Sequence, residues 1–148
     1  MKANPQEDYR LVVDTWAVCR QDATQVRYDV FVMEQNVPLD EELDSRDADC
    51  LHAVAYSPDG LPVGTGRLLP DGHIGRMAVR RPYRGQGVGA MLLKCLVEEA
   101  RQRGHRQLEL AAQLHAMGFY SAHGFIAEGP VFLDAGIEHR NMRRSLSD

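Results

Sequence analysis

The sequence has few cysteines and lacks the long apolar runs of a membrane protein. Its three cysteines, Cys19, Cys50 and Cys95, are widely spaced and form no CxxC pair, which argues against a disulfide framework and a zinc knuckle. No apolar run approaches the roughly 20 residues that a bilayer-spanning helix needs, and the polar start MKANPQEDYR has no signal-peptide core. These absences predict a cytoplasmic protein that binds neither a membrane nor a metal.

The length and composition predict a single domain over residues 1–148. Apolar residues make up 44% of the chain and charged residues 26%, a balance typical of globular proteins. One domain usually takes roughly 100 to 200 residues. We find no internal repeat, low-complexity tract or glycine-rich linker that would divide the chain.

The charge is unevenly distributed along the chain. The net charge of −4 disfavours binding to a nucleic acid. Residues 76–106 nevertheless hold eight basic residues against two acids, whereas residues 34–49 hold seven acids against Arg46. A nucleic-acid-binding module built on the basic segment is disfavoured further because no aromatic residues are interleaved with its arginines. The pattern predicts one region suited to an anion and another suited to a cation.

Apolar periodicity and turn residues predict an α+β fold with a mixed, mostly antiparallel central sheet flanked by helices. The predicted elements are a short strand at 9–13, a helix at 15–34, strands at 50–56, 61–69 and 73–79, a helix at 86–103, a strand at 107–112, a short helix at 116–123, and closing strands at 125–127, 131–133 and 138–142. On the main helix, the predicted buried face consists of Val88, Met91, Leu92, Cys95 and Leu96.

A glycine-rich turn lies between the third antiparallel strand and the main helix. The first N–H groups of a helix have no internal partner and carry partial positive charge, and glycines let a phosphate approach the backbone. A turn that binds nothing is the alternative. The three antiparallel strands before it disfavour a Rossmann site, and the absence of a Lys-Ser or Lys-Thr pair excludes a P-loop. The turn consists of Arg84, Gly85, Gln86, Gly87, Val88 and Gly89.

Two motifs in this order resemble the GCN5-related N-acetyltransferase (GNAT) superfamily. Arg84, Gly87 and Gly89 match its acetyl-CoA motif, Q/R-x-x-G-x-G/A. A later short helix with a tyrosine, followed by Gly-Phe at a strand entry, is similar to its next signature and contains Phe119 and Tyr120. From about residue 26 onward the chain further resembles the ElaA-type bacterial branch, notably at 30–38, 40–49, 74–76, 111–115 and 136–139.

The resemblance implies an acetyl-CoA-dependent N-acetyltransferase with a GNAT fold that acts by direct transfer in a ternary complex. It assigns the pyrophosphate of acetyl-CoA to the backbone of residues 84–89. It assigns the pantetheine arm to the strand at Met77, Ala78 and Val79, where an N–H near Met77 or Ala78 would face the thioester oxygen. Gln113, Phe119 and Tyr120 complete the implied cofactor site, and Tyr120 is the implied general acid toward the CoA thiolate. Many superfamily members carry an asparagine where this chain has Gln113 and His115.

Several residues could accept the proton of the amine, directly or through water. They are Glu34, His73, His115 and His139, and many related enzymes use ordered water without a dedicated base. Each residue also has a structural alternative. Glu34 could form a cap or an ion pair, His73 could be a solvated turn residue, His115 could anchor a loop, and His139 could be a packed strand residue.

The acceptor is predicted only as a primary amine on a small molecule or a peptide. The acidic segment 34–49 would favour a cationic amine, whereas a solvated acidic loop is the alternative. A non-catalytic acyl-CoA-binding or sensing module is the second candidate function, against which Tyr120 favours the enzyme. Sheet edges near the C-terminus are compatible with a homodimer.

Overall fold

The computed structural model describes residues 8–146, which form two antiparallel sheets with helices packed against them. The expected α+β class is confirmed. No helix within these residues is both long and apolar enough to cross a membrane. The elements in chain order are β1 Arg10–Thr15, α1 Trp16–Arg27 with a π-helical continuation Tyr28–Glu34, α2 Leu39–Glu42, β2 Leu51–Tyr56, β3 Pro62–Leu68, β4 Ile74–Val79, α3 Val88–Gln102, β5 Gln107–Gln113, α4 Met117–Ala122, β6 Ile126–Asp134 and β7 Ile137–Ser145, with 3₁₀ turns at Ser45–Asp49, Arg81–Tyr83 and Leu114–Ala116.

The expected mixed sheet is divided into two sheets. One has the strand order β1-β2-β3-β4 and the other β5-β7-β6, and every pairing within them is antiparallel. In residues 8–146 the sheets share one parallel bridge, between His73 and Glu109, next to a hydrogen bond of 3.2 Å from the Glu109 N–H to the Gly72 carbonyl. Beyond this point β4 and β5 run side by side without pairing, and the edge of each strand faces the other across a gap.

Three predicted elements were wrong in their bounds. The helix expected at 15–34 is α-helical only as far as Arg27 and continues as a π-helix, whose wider turn is closed by a hydrogen bond of 3.0 Å from the Gln35 N–H to the Val30 carbonyl. The strands expected at 125–127 and 131–133 are one strand, β6, with an irregularity between Glu128 and Phe132. A Gly-Pro pair in the sequence indicates a turn, but here Gly129 and Pro130 form a bulge within β6.

Helix α3 buries a wider face than its periodicity predicts. Val88, Leu92 and Leu96 are buried as expected, but Met91 and Cys95 remain partly exposed. The core cluster to which α3 belongs extends from the first sheet into β5 and β7. Because α3 packs into this continuous core, it also buries Leu93, Val97 and Ala100.

Helix α3 packs closely on strand β3 because β3 has glycines at the positions where the helix crosses it. A Cβ built on Gly64 would lie 2.9 Å from the Leu92 side chain, 3.1 Å from that of Val88 and 3.3 Å from the Ala78 carbonyl. On Gly66 it would lie 2.4 Å from the Met77 sulfur and 3.0 Å from the Leu96 side chain. These two glycines therefore set the position of α3 above β3 and β4.

The acidic segment after the π-helix is held by buried arginines. Arg27 forms ion pairs with Glu42 at 2.5 Å and with Asp47 at 2.9 Å. Arg67 donates to Asp44 and to Asp47, each at 2.8 Å. These inner carboxylates neither form a solvated acidic loop nor remain free to attract a cation, because each is neutralised by an arginine.

We expect Gly64→Ala to lower the free energy of unfolding by about 1–3 kcal/mol, because the new methyl group overpacks the contact between β3 and α3. Urea denaturation measures this change. Gly118→Ala is the control, since Gly118 is exposed in α4 with open space around the added Cβ. That variant should be neutral or gain up to about 1 kcal/mol. Equal stability of the two variants would contradict the close packing of α3.

The ion network predicts a dependence of stability on pH. Hydrogen bonds from Arg67 lower the pKa of Asp44 from 3.8 to about 2, against the opposing effect of burial. Because the folded-state pKa is the lower one, the stabilisation is complete above about pH 4 and is lost as the pH falls toward 2. Asp44→Asn should therefore cost about 2 kcal/mol at neutral pH, and its difference from wild type should shrink below about pH 4.

Urea unfolding at several pH values between neutral and about pH 2.5 measures this difference. Asp49→Asn is the control, because Asp49 is exposed and makes no ion pair with residues 8–146. The free energy of unfolding of Asp49→Asn should stay close to that of wild type over the whole pH range. If the loss of unfolding free energy in Asp44→Asn stays constant over this range, the ionised Asp44 carboxylate is not the source of the stabilisation.

Candidate active site

A cavity of about 910 Å³ opens between β4 and β5 where the two strands part. Its walls include residues 74–79 of β4, Ala111 and Gln113 of β5, Tyr120 of α4 and His139 of β7. A space of this size is large enough for a small ligand or part of a cofactor. The cavity is therefore the candidate site, and it contains most of the residues predicted for acetyl transfer.

The glycine turn forms at the N-terminus of α3 as predicted. Gly85 and Gly87 have φ values of +76° and +86°, a left-handed conformation that glycine adopts without strain. The helix begins at Val88, whose side chain is buried, so that only its backbone faces outward. The N–H groups of residues 87–90 have no backbone acceptor within the described chain. A row of free N–H groups at the positive end of a 15-residue helix can bind a phosphate.

The side chains of Arg84 and Gln86 at this turn form hydrogen bonds with other parts of the chain. The Arg84 guanidinium donates to both carboxylate oxygens of Glu34, at 2.6 and 2.7 Å, and its Nε donates to the Val79 carbonyl at 2.8 Å. Gln86 accepts a hydrogen bond of 2.5 Å from the Tyr9 hydroxyl. Arg84 therefore holds the turn against β4 and the π-helix, and the turn presents its backbone as the anion-binding surface.

The second predicted motif packs beside the turn at Gly89. A Cβ on Gly89 would lie 3.5 Å from the Phe119 ring and 3.8 Å from the Val79 side chain, both of which are ordinary contacts. Phe119 thus packs beside the start of α3, and it is not among the residues that line the cavity.

Strand β4 carries a bulge beside the cavity. Thr65 pairs with Ala78 and Arg67 pairs with Gly75, so that Gly66 alone lies opposite both Arg76 and Met77. Arg76 has a φ of +50°, which is uncommon for a residue with a long side chain. The bulge changes the direction in which Arg76 and Met77 project.

The register of β4 shows which backbone groups face the cavity. The Arg80 N–H donates to the Val63 carbonyl at 2.8 Å. In an antiparallel ladder, alternate pairs are hydrogen-bonded, so the backbone of Ala78 is directed toward Thr65 and that of Val79 toward the open edge. Of the two N–H groups expected to face a thioester, the one on Ala78 is therefore used within the sheet. The Val79 N–H is directed toward the open edge.

Tyr120 faces the cavity from α4. Its side chain is 9% exposed and makes edge-to-face contacts with Phe119 and Phe125. Burial raises its pKa to about 12, so the hydroxyl is protonated at neutral pH. The hydroxyl has no hydrogen-bond partner in residues 8–146. It is therefore a free proton donor at the cavity wall.

Two of the predicted bases are already bound to charged partners. Hydrogen bonds from Arg84 hold the pKa of Glu34 below its usual range, although burial acts in the opposite direction. His73 has Asp71 3.0 Å from Nδ1 and Glu109 3.1 Å from Nε2. Both ring nitrogens of His73 therefore face carboxylates of the protein, and neither faces a bound amine. His73 instead connects the two sheets where they meet.

His139 is arranged differently. Its Nδ1 lies 2.7 Å from the Ile137 carbonyl, an atom that can only accept, so Nδ1 carries the proton. In the neutral ring, Nε2 then keeps its lone pair. The side chain is buried, stacks on Phe132 and lines the cavity. His115 also lines the cavity, but it is exposed.

The cavity wall contains a pair that the sequence did not indicate. Gln113 donates to Gln35 at 2.9 Å and Gln35 donates back at 3.4 Å, which connects β5 to the end of the π-helix. Only its position next to Glu34 could have indicated Gln35. No group of three His, Cys, Asp or Glu side chains in residues 8–146 is arranged to hold a metal ion.

Comparisons with known proteins agree with this geometry. Residues 19–146 match the family model of the acetyltransferase (GNAT) domain. The protein named uncharacterized N-acetyltransferase YjcF of Bacillus subtilis is 40% identical over 128 residues, which cover 84% of this chain and 91% of that protein.

Solved structures are similar over nearly the whole chain. An acyl-CoA N-acyltransferase from Pseudomonas aeruginosa is 31% identical with a TM-score of 0.82, covering 93% of this chain and 99% of its own. Escherichia coli ElaA is 28% identical with a TM-score of 0.81 and the same coverage. The predicted resemblance to the ElaA-type branch is confirmed. The chain belongs to the GNAT acetyltransferase family and is an acyltransferase that uses an acyl-CoA cosubstrate.

Proposed function

We propose that this protein transfers an acetyl group from acetyl-CoA directly to a primary amine bound in the same cavity. The observation that carries the proposal is the position of Tyr120, whose protonated and unpartnered hydroxyl lines the same cavity as the open edge of β4. A binding module has no use for a proton donor at the cavity wall, whereas a departing CoA thiolate needs one.

The donor fits the surface between the glycine turn and β4. The free N–H groups of residues 87–90 would hold the pyrophosphate, at the positive end of α3. The open edge of β4 at Val79 would pair with the amide groups of the pantetheine arm, as an added strand would. Phe119 would support the turn by packing against Gly89 at the start of α3.

Direct transfer is supported by where the cysteines lie. None of Cys19, Cys50 and Cys95 lines the cavity, although all three fall within the described chain. Burial raises the pKa of each thiol, which makes them poor nucleophiles at neutral pH. The amine nitrogen would therefore attack the thioester carbon itself.

His139 is the base that the geometry favours. Its Nε2 would take a proton from the amine while the C–N bond forms. When the C–S bond breaks, the Tyr120 hydroxyl would give its proton to the CoA thiolate. Both residues then return to their starting states by exchanging a proton with solvent. Glu34 and His73 are less suited because both are bound in ion pairs.

The homodimer and the cytoplasmic location remain predictions. For the dimer, we favour β6, which is an edge strand of its sheet and exposes Ile126, Val131 and Leu133. An edge strand with exposed apolar side chains can pair with a second copy.

Thiol release from acetyl-CoA, measured with a panel of primary amines and with mass spectrometry of the product, tests the proposal. Tyr120→Phe should lower kcat about 100-fold and leave acetyl-CoA affinity unchanged, because only the proton donor is lost. Tyr28→Phe, on an exposed tyrosine, is the control and should match wild type. If acetyl-CoA binds and no amine supports thiol release, the protein is a sensing module. Unchanged turnover of Tyr120→Phe would remove Tyr120 from the mechanism.

We expect His139→Gln to lower kcat about 100-fold at neutral pH, since the amide can still donate to the Ile137 carbonyl but cannot take up a proton. The difference in kcat between His139→Gln and wild type should decrease as the pH rises, because a larger share of the amine is then already unprotonated when it binds. A pH series of steady-state rates measures this. A loss that stays constant over the whole range would mean that His139 only supports the cavity wall.

A further inference from the structure

Arg76 projects into the cavity from the bulge in β4. It lies two residues before Ala78, its side chain is 26% exposed and it lines the cavity. Its φ of +50° is uncommon in a strand and is imposed by the two-to-one pairing opposite Gly66. Backbone strain of this kind occurs where a side chain must be aimed, and it is found repeatedly at binding sites.

Most of the hydrogen-bonding capacity of Arg76 is unused. Its Nη2 donates to the Glu42 carbonyl at 3.0 Å, to Asp44 at 3.2 Å and to the Glu41 carbonyl at 3.4 Å. Its Nε is buried without a partner, and its Nη1 makes no hydrogen bond with residues 8–146. A guanidinium has five N–H donors, so Nη1 alone leaves two of them available.

The neighbouring arginines are better compensated than Arg76. Burial alone would lower the pKa of Arg67, but its bonds to Asp44 and Asp47 raise it. The pKa of Arg27 is likewise raised by its bonds to Asp47 and Glu42, although burial acts in the opposite direction. Burial and the positive charge of Arg67 together lower the pKa of Arg76. Within this network, Arg76 is the cation that an additional anion would stabilise.

Arg76 shares the carboxylates beside it with other arginines: its Nε lies 3.7 Å from Glu42 and its Nη2 lies 3.2 Å from Asp44. Glu42 and Asp44 already contact other arginines, Arg27 and Arg67. Glu41 and Asp134 also line the cavity, but both are exposed and form no ion pair in the described chain. They suit the ammonium end of an acceptor, whereas Arg76 suits an anionic group on the same molecule.

We propose that the acceptor is an amine that also carries an anionic oxygen group, a carboxylate or a phosphate, and that Arg76 binds this group through its free Nη1. This inference rests on the proposed acetyl transfer and names its substrate class. A planar guanidinium matches the two oxygens of either group. The sequence predicted a cationic acceptor from the acidic segment 34–49, of which Glu42, Asp44 and Asp47 are bound by arginines.

Matched acceptor pairs test the proposal with the wild-type protein. The pairs are β-alanine with β-alaninamide and 2-aminoethyl phosphate with ethanolamine, each assayed with acetyl-CoA. We expect kcat/KM to be at least about tenfold higher for the member of one pair that carries the anionic group. Preference in the first pair identifies a carboxylate, and preference in the second identifies a phosphate. Equal turnover of the members with and without the anionic group would overturn the proposal while leaving acetyl transfer intact. No turnover of any amine would instead overturn the proposed function, and this inference with it.

The variant Arg76→Gln tests whether the Arg76 side chain causes the preference for an acceptor with an anionic group. We expect it to raise KM about tenfold for the acceptor that carries the anionic group, with little change for its partner without that group or for acetyl-CoA. Arg143→Gln is the control, since Arg143 lies on β7 outside the cavity and pairs with Glu128. A purely structural role for Arg76 would reduce turnover of both members alike, and that result would also overturn the proposal.

Discussion

The backbone of β4 is paired with β3 along its length but meets β5 at one bridge, between His73 and Glu109. Unpaired N–H and C=O groups in a protein interior need partners, which here must come from a ligand or water. The parting of these two strands therefore produces both the cavity and the surface that can bind a donor molecule. His73 holds the junction through carboxylates on either side, which explains why a residue that was expected to be a base has a structural role.

The position of the phosphate-binding turn depends on packing at some distance from it. Gly64 and Gly66 let α3 lie close to β3, and the N-terminus of α3 then stands beside the open edge of β4. Arg84 connects the two by donating to the Val79 carbonyl and to Glu34. The turn and the strand edge are thus held as one unit, which suits a long cosubstrate that contacts both.

Net charge says little about what this protein binds. Within the acidic segment 34–49, Glu42, Asp44 and Asp47 and the arginines that oppose them neutralise one another. Such a network is costly to bury and depends on complete pairing. Arg76 lines the cavity together with Arg67 and Glu42, but its Nη1 makes no hydrogen bond in the described residues, whereas both Nη atoms of Arg67 do. The proposed preference for an acceptor with an anionic group rests on that difference.

Much of the fold follows from local patterns. Apolar periodicity indicated α3 and the three strands before it, and the glycines between them indicated an anion-binding turn. Spacing placed Tyr120 on a short helix, where the structure finds it. These features depend on residues within a few positions of one another, so the sequence alone contains the information that determines them.

The tertiary structure decided the features that depend on distant residues. The π-helix, the bulge that keeps β6 one strand, and the free Nε2 of His139 each depend on contacts that no local pattern encodes. The same holds for the pairing of Glu34 with Arg84, which are 50 positions apart in the chain. The sequence therefore determined which groups are present. Only the folded chain decided which of them remain free to act, because a side chain is available when no distant partner has reached it.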